Sequence, residues 1–253
     1  MSIIIAVAGK GGTGKTTLAA LVVRALKEKG QGPILAIDAD PNSNLGELLG
    51  VKSPSTIVGI IDSVAKNPDQ IPQGVTKDRY IDLKVQESLN EEEGFDLLSM
   101  GRPEGPGCYC FANNMLRGLI EKLMESYRYV VIDNEAGMEH LSRRLTRNID
   151  TLFMVSDSAI VGIRSAARVS ELVDELEIKI KDRFLILNKS RGTKEALLSE
   201  IKKAGMNLRA TLPLNEEIED AAVSGRAVFQ LSKDNPLLKA VGEFLVVSQV
   251  RKG

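Results

Sequence analysis

The stretch from Ala8 to Thr17, Ala-Gly-Lys-Gly-Gly-Thr-Gly-Lys-Thr-Thr, constrains this chain more than any other. It follows the apolar run Ile3-Ile4-Ile5-Ala6-Val7 and precedes a segment that is apolar at Leu18, Leu21, Val22, Ala25 and Leu26. That order is a strand, a glycine-rich loop and a helix start. Gly9, Gly14, Lys15 and Thr16 fit G-x-x-x-x-G-K-[ST], the pattern of a phosphate-binding loop. The glycines let backbone N–H groups curl around phosphate oxygens, and the helix N-terminus adds a partial positive charge. Gly11, Gly12, Thr13, Gly14, Lys15, Thr16 and Thr17 are therefore the candidate nucleotide contacts. Lys15 is placed to reach the β- and γ-phosphates, and the Thr16 hydroxyl to hold Mg²⁺.

Strand-like runs recur at Ile3 to Ala8, Ile34 to Ile37, Phe95 to Met100, Tyr129 to Ile132, Thr151 to Val155, Arg183 to Leu187 and Leu208 to Leu212. Helical patterns separate most of them, at Thr16 to Lys29, Asn113 to Tyr127, Ala159 to Leu176 and Lys194 to Ala204. The alternation predicts an α/β fold, a mostly parallel central sheet flanked by helices on both faces. Several strands are solid apolar runs, as burial on both faces requires. Gly30 suits the end of the first helix. A chain of 253 residues is long enough for one α/β domain. The polar stretch from Ser53 to Gly94, with Pro54, Pro68, Pro72 and Glu91-Glu92-Glu93, reads as an elaboration of that domain. Pro236 to Val250 is apolar at Leu237, Leu238, Val241, Phe244, Leu245 and Val246, and a docked core helix is expected there. A membrane-surface helix is the alternative, but it would want a stronger basic face than Lys239, Arg251 and Lys252 give.

Lys and Arg total 33 against 34 Asp and Glu, so the chain offers no basic coat for nucleic acid. No apolar run approaches the roughly 18 residues of a membrane span. The N-terminus goes straight into a strand, which argues against a secretory signal. Two cysteines do not make a disulfide framework, and a reducing, cytoplasmic setting is expected.

Acidic residues cluster at strand ends. Ile37-Asp38-Ala39-Asp40-Pro41-Asn42 puts two carboxylates at the carboxyl end of a strand, where open α/β sheets bind ligands. Such aspartates can hold magnesium waters or orient an attacking water, and Asp-Pro-Asn is equally good turn chemistry. Tyr129-Val130-Val131-Ile132-Asp133 is an apolar strand ending in an acid, as in a Walker B element. Gly105-Pro106-Gly107-Cys108-Tyr109-Cys110 places both cysteines on a glycine- and proline-rich loop before a helix. A helix N-terminus favours thiolate. One Cys-x-Cys cannot enclose an ion that wants about four ligands, but two copies on a two-fold axis supply them. Four thiolates suit Zn²⁺, Ni²⁺ or a bridging iron–sulfur cluster, and two buried apolar fillers is the bland alternative. His140, the sole histidine, reads either as a ligand or as a structural residue. Arg143, Arg144 and Arg147 read as a solvated helix face or as a docking surface.

The run GKGGTGKTT, with Lys10 as a second loop lysine, resembles the deviant loop of the MinD, ParA and nitrogenase-iron-protein class of ATPases. The resemblance implies that ATP closes a homodimer and that Lys10 reaches the partner's nucleotide, much as an arginine finger does. It implies further that Asp40 positions the hydrolytic water, and that Asp38 and Asp133 sit in or near the magnesium shell. By the same likeness Gly137 senses the γ-phosphate, Asn188 reads the adenine edge, and Pro213 lies in the loop that closes over the base. GRPEGPGCYC, from Gly101 to Cys110, and DNEAGMEHLSRR, from Asp133 to Arg144, resemble the CooC-type accessory ATPases that mature nickel enzymes of carbon monoxide metabolism. That likeness implies hydrolysis of ATP to ADP and phosphate. It implies a nickel site (zinc is the alternative) shared by Cys108 and Cys110 of two protomers, and a client that is carbon monoxide dehydrogenase or acetyl-CoA synthase. A MinD/ParA-like positioning switch and an iron–sulfur redox donor are the competing functions. Iron-protein relatives draw their four cysteines from two separated segments, and here there is one.

Overall fold

A computed structural model describes residues 2–40, 44–52, 55–101, 110–135, 146, 148–192 and 194–249, with backbone only at 110–116 and 246–249. Eight strands form one sheet: β1 (Ile3–Gly9), β2 (Ile34–Asp38), β3 (Asn90–Glu92), β4 (Phe95–Ser99), β5 (Tyr129–Asp133), β6 (Asn148–Ser156), β7 (Lys179–Ser190) and β8 (Leu208–Pro213). Their order is β3-β4-β2-β5-β1-β6-β7-β8, and all neighbours are parallel except β3 and β4. The described helices are α1 (Lys15–Glu28), α2 (Asn44–Leu49), α3 (Ile57–Lys66), α4 (Lys77–Glu87), α5 (Cys110–Met124), α6 (Ile160–Glu175), α7 (Glu195–Lys203), α8 (Glu216–Ser224) and α9 (Pro236–Gln249).

Alternation along the strands makes two cores. In β1, Ile5 and Val7 pack with α1, α2, α8 and α9, while Ala6 and Ala8 face α3, α4, α5, α6 and α7. The apolar stripe of α1 is wholly buried, so packing rather than propensity holds that helix. It stops in a Schellman turn: the Gly30 N–H donates to the Lys27 carbonyl and the Gln31 N–H to the Leu26 carbonyl, each at 2.9 Å. Gly30 takes φ 63°, which an L side chain resists. Helix α9 docks as expected for a core helix, with Leu237, Leu238, Val241, Phe244 and Leu245 buried. Phe244 meets Phe153 edge-on, with ring centroids 5.2 Å apart. Among the described residues no helix is long and apolar enough to cross a membrane.

Residues 55–94 carry regular structure that their reading as an elaboration left open: α3 and α4 pack on the sheet through Ile57, Ile61, Val64, Ile81 and Val85. Within the acidic run, Asn90–Glu92 adds an antiparallel edge strand, which needs only one buried face. Helix α5 starts at Cys110, three residues before the expected Asn113. Cys110 is thus the first helical residue, while Cys108 lies outside the described residues.

Candidate functional site

The loop after β1 is shaped by close approaches of backbone. At Gly9 (φ 149°) a Cβ would fall 2.2 Å from the Val155 carbonyl oxygen of β6. At Gly14 (φ 90°) it would fall 2.3 Å from the Asn188 amide nitrogen. Any side chain at either place would push the loop off the sheet. Gly14 is the N-cap of α1, which has no side-chain cap and no acidic residue in its first turn. Its leading N–H groups are therefore left for an external anion. The loop's turn is held by Thr13, whose N–H and hydroxyl both donate to the Lys10 carbonyl, at 3.4 and 2.8 Å. Lys15 is 7% exposed. Among the described residues its Nζ has only a long contact, 3.5 Å, to that same carbonyl. Lys10, Gly11 and Gly12 are exposed, and Thr16 and Thr17 are half-buried. Among the described residues the Lys10 ammonium has no partner.

The acidic strand ends lie beside this loop. Asp38 and Asp133 end adjacent strands in register, and Asp133 is level with Val7 of β1. Both carboxylates are fully buried. Asp38 is committed to the backbone: its Oδ2 accepts the Leu45 N–H at 2.8 Å, capping α2, and its Oδ1 accepts the Asp40 N–H at 3.2 Å. Burial, offset by these bonds, still raises its pKa to about 6. Asp133 is different. Neither of its oxygens is in hydrogen-bond geometry with a described residue. Burial raises its pKa to about 7, the nearby Thr16 hydroxyl and Lys15 ammonium work against that, and Asp38 and Asp40 add to it. A buried carboxylate without donors is costly unless a cation or ordered water completes it. Thr16 and Asp133 thus fit a hydrated magnesium ion, whose remaining ligands a bound phosphate would supply. Among the described residues no cluster of three or more His, Cys, Asp or Glu could hold a metal without that help.

A pH dependence follows for the metal-free, nucleotide-free protein. Asp38 and Asp133 ionise near pH 3.8 when unfolded and near 6 and 7 when folded. Their folded environment favours the protonated form. Its stabilising contribution is fully present below pH 3.8 and is lost as pH rises through 6 to 7. Each group accounts for a few kcal/mol, roughly 1.4 kcal/mol per unit of pKa difference. Thermal melts in EDTA should therefore show a lower Tm at pH 8 than at pH 5.5, and Mg²⁺ with nucleotide should erase the difference. A Tm that rises across that range would contradict the burial of these carboxylates.

Asn188 and Pro213 stand at the carboxyl ends of β7 and β8. Pro213 is exposed and paired in register with Ser190. Asn188 is buried, and its amide donates to the Thr13 carbonyl at 2.9 Å. It is thus engaged with the phosphate loop. Gly137 and His140 lie outside the described residues, as do Arg143, Arg144 and Arg147. Two residues of the likened segments make contacts that the sequence did not foretell. Lys189, with φ 54°, sets its Nζ 3.3 Å from the Gly12 carbonyl. Asn134 donates from its backbone and side-chain nitrogens to the Val7 carbonyl, at 3.0 and 3.1 Å, pinning β5 to β1 just before the loop. For Asn134 the available signal was a polar residue directly after an apolar strand, and for Lys189 a lysine beside Asn188 at the end of the apolar run Phe184 to Leu187.

Backbone bonds continue past the strand ends. Ala39 N–H donates to the Asp133 carbonyl at 3.0 Å, and Met100 N–H to the Asp38 carbonyl at 2.9 Å. Gly101, which opens the stretch leading to the cysteines, follows directly.

A model of the CobQ/CobB/MinD/ParA nucleotide binding domain matches residues 4–228. The chain belongs to that family. Its MinD/ParA character agrees with a strand, a glycine loop and an uncapped helix start. An uncharacterized ATP-binding protein of Methanocaldococcus jannaschii is 44% identical over 243 residues, covering 95% of this chain and 96% of that one. The carbon monoxide dehydrogenase accessory protein CooC of Rhodospirillum rubrum is 28% identical over 239 residues, 90% of each. The septum site-determining protein MinD of Pyrococcus horikoshii, solved with Mg-ADP, superposes with a TM-score of 0.71 at 19% identity, covering 100% of this chain and 98% of that one. This last likeness is one of fold.

Proposed function

We propose that the chain is an ATP-hydrolysing metallochaperone that binds nickel at a Cys-x-Cys site and supports maturation of carbon monoxide dehydrogenase or acetyl-CoA synthase. The observation that carries the ATP half is the orphaned Asp133 carboxylate beside Thr16 and Lys15 at an uncapped helix start. Lys15 binds the β- and γ-phosphates. Thr16 and Asp133 would hold Mg²⁺, which when bound would neutralise charge on the phosphate oxygens. Asp40 orients a water whose oxygen forms a bond to the γ-phosphorus as the bond to the β,γ-bridging oxygen breaks. ADP leaves, and the water's proton passes by way of Asp40 to solvent. Lys10 stabilises that charge across the dimer, a role that its unpartnered ammonium suits.

The nickel half is supported by the Cys108-x-Cys110 spacing and by the CooC relative. Nickel is the cargo here, with two cysteines from each protomer as ligands. Replacing Cys108 and Cys110 by serine should abolish tight nickel binding, measured by equilibrium dialysis of the ATP-saturated protein, while ATP affinity changes less than threefold. Unchanged nickel stoichiometry would refute the metal site. ATP-dependent sedimentation with liposomes or DNA would favour the MinD/ParA positioning switch instead. Visible absorbance with stoichiometric iron after anaerobic preparation would favour a redox donor.

A further inference from the structure

The geometry points to Asn188 and Lys189 as positioning residues that hold the phosphate loop in its binding shape, making loop geometry and base occupancy one coupled state. This rests on the reading of the loop as a nucleoside triphosphate site.

A phosphate loop works by turning its N–H groups inward, so its carbonyls must be kept outward. The carbonyls of Gly12 and Thr13 are held from outside the loop, by Lys189 Nζ at 3.3 Å and Asn188 Nδ2 at 2.9 Å. The donor end of the Asn188 amide must face the loop, because its partner is an acceptor. The contact is tight. The amide nitrogen lies against Gly14, where no Cβ would fit, and Asn188 is 7% exposed. Glycines flank both held carbonyls, and glycine peptides flip readily. A flip at Thr13 would aim a carbonyl at the phosphates.

Both donors reach the loop because β7 bulges. Leu187 pairs with Thr211 and Ser190 with Pro213, so Asn188 and Lys189 together oppose Leu212. A residue with left-handed φ inside a bulge is a device for re-aiming side chains, here Lys189 at 54°. The Asn188 amide keeps a second N–H and its oxygen for a base edge. A base that engages them orders the same group that fixes Thr13.

A ligand without a base separates this role from simple base reading. Binding of Mg–ATP and of Mg–tripolyphosphate is measured by calorimetry for the wild type, Asn188→Ala and Lys189→Ala, with Tm as a folding control. We expect Asn188→Ala to weaken tripolyphosphate at least tenfold, and to raise amide hydrogen exchange at residues 9–17 in the ligand-free protein. Lys189→Ala should weaken it about threefold, less at high salt. Loss of ATP affinity alone, with tripolyphosphate unchanged, would overturn the inference and leave the nucleotide site standing. A wild type that binds neither ligand would overturn the reading of the site itself. Should Asn188→Ala fail to fold, the exposed Lys189 decides, and tripolyphosphate affinity unchanged in Lys189→Ala sinks the inference.

Discussion

Lys15→Ala should bind ATP at least a hundredfold more weakly than the wild type while its Tm moves by no more than a few degrees. The two halves of that expectation come from different observations. Among the described residues Lys15 makes one marginal contact, 3.5 Å to the Lys10 carbonyl, so little of the described fold is held through it. It is nonetheless 7% exposed, with an ammonium kept at the loop and felt by Asp133. A nearly buried cation with so little satisfaction waits for an anion. Charge-assisted bonds to phosphate contribute roughly 1.5–3 kcal/mol each, and two of them account for about a hundredfold or more in affinity. Calorimetric titration with Mg–ATP, beside a thermal melt, checks both halves. An unchanged affinity would mean that nucleotide sits elsewhere.

Asp40→Ala should have the opposite profile: ATP bound at near-normal affinity and hydrolysis lowered by about 10²–10⁴, the usual range for a lost proton acceptor. The backbone N–H of Asp40 is tied to Asp38 Oδ1, a bond that does not use the Asp40 carboxylate and that the alanine variant keeps. With hydrolysis stalled, protomers should accumulate as an ATP-loaded dimer, seen as a doubled mass by light scattering. Normal turnover would show that another group orients the water.

The chain's alternation of strand and helix was legible because strands buried on both faces must be apolar throughout, as in Tyr129 to Ile132. The phosphate loop was legible because its glycines meet steric demands that no other residue satisfies: Gly9 touches Val155, and Gly14 touches Asn188. What the sequence hid has physical reasons too. Helix α4 buries a narrow stripe, Ile81 and Val85, among charged and exposed neighbours, and its residues look polar on average. Asp38 and Asp133 look alike in the chain, as acids at the ends of apolar strands. Only the folded backbone separates them: among the described residues it gives Asp38 two backbone donors and Asp133 none. The engagement of Asn188 with Thr13 joins residues 175 positions apart, and no local pattern encodes it.

The margins of the sheet also limit how copies of this chain can meet. On one side the outermost strand is Asn90–Glu92, whose Glu91 and Glu92 are exposed. On the other, β8 ends at Pro213, which has no N–H to offer a newcomer. Repulsion guards one flank and a missing donor shortens the other, so strand-by-strand lengthening into a ribbon of subunits is discouraged. Self-association is thereby steered away from the flanks, toward surfaces where side chains rather than backbone make the contact.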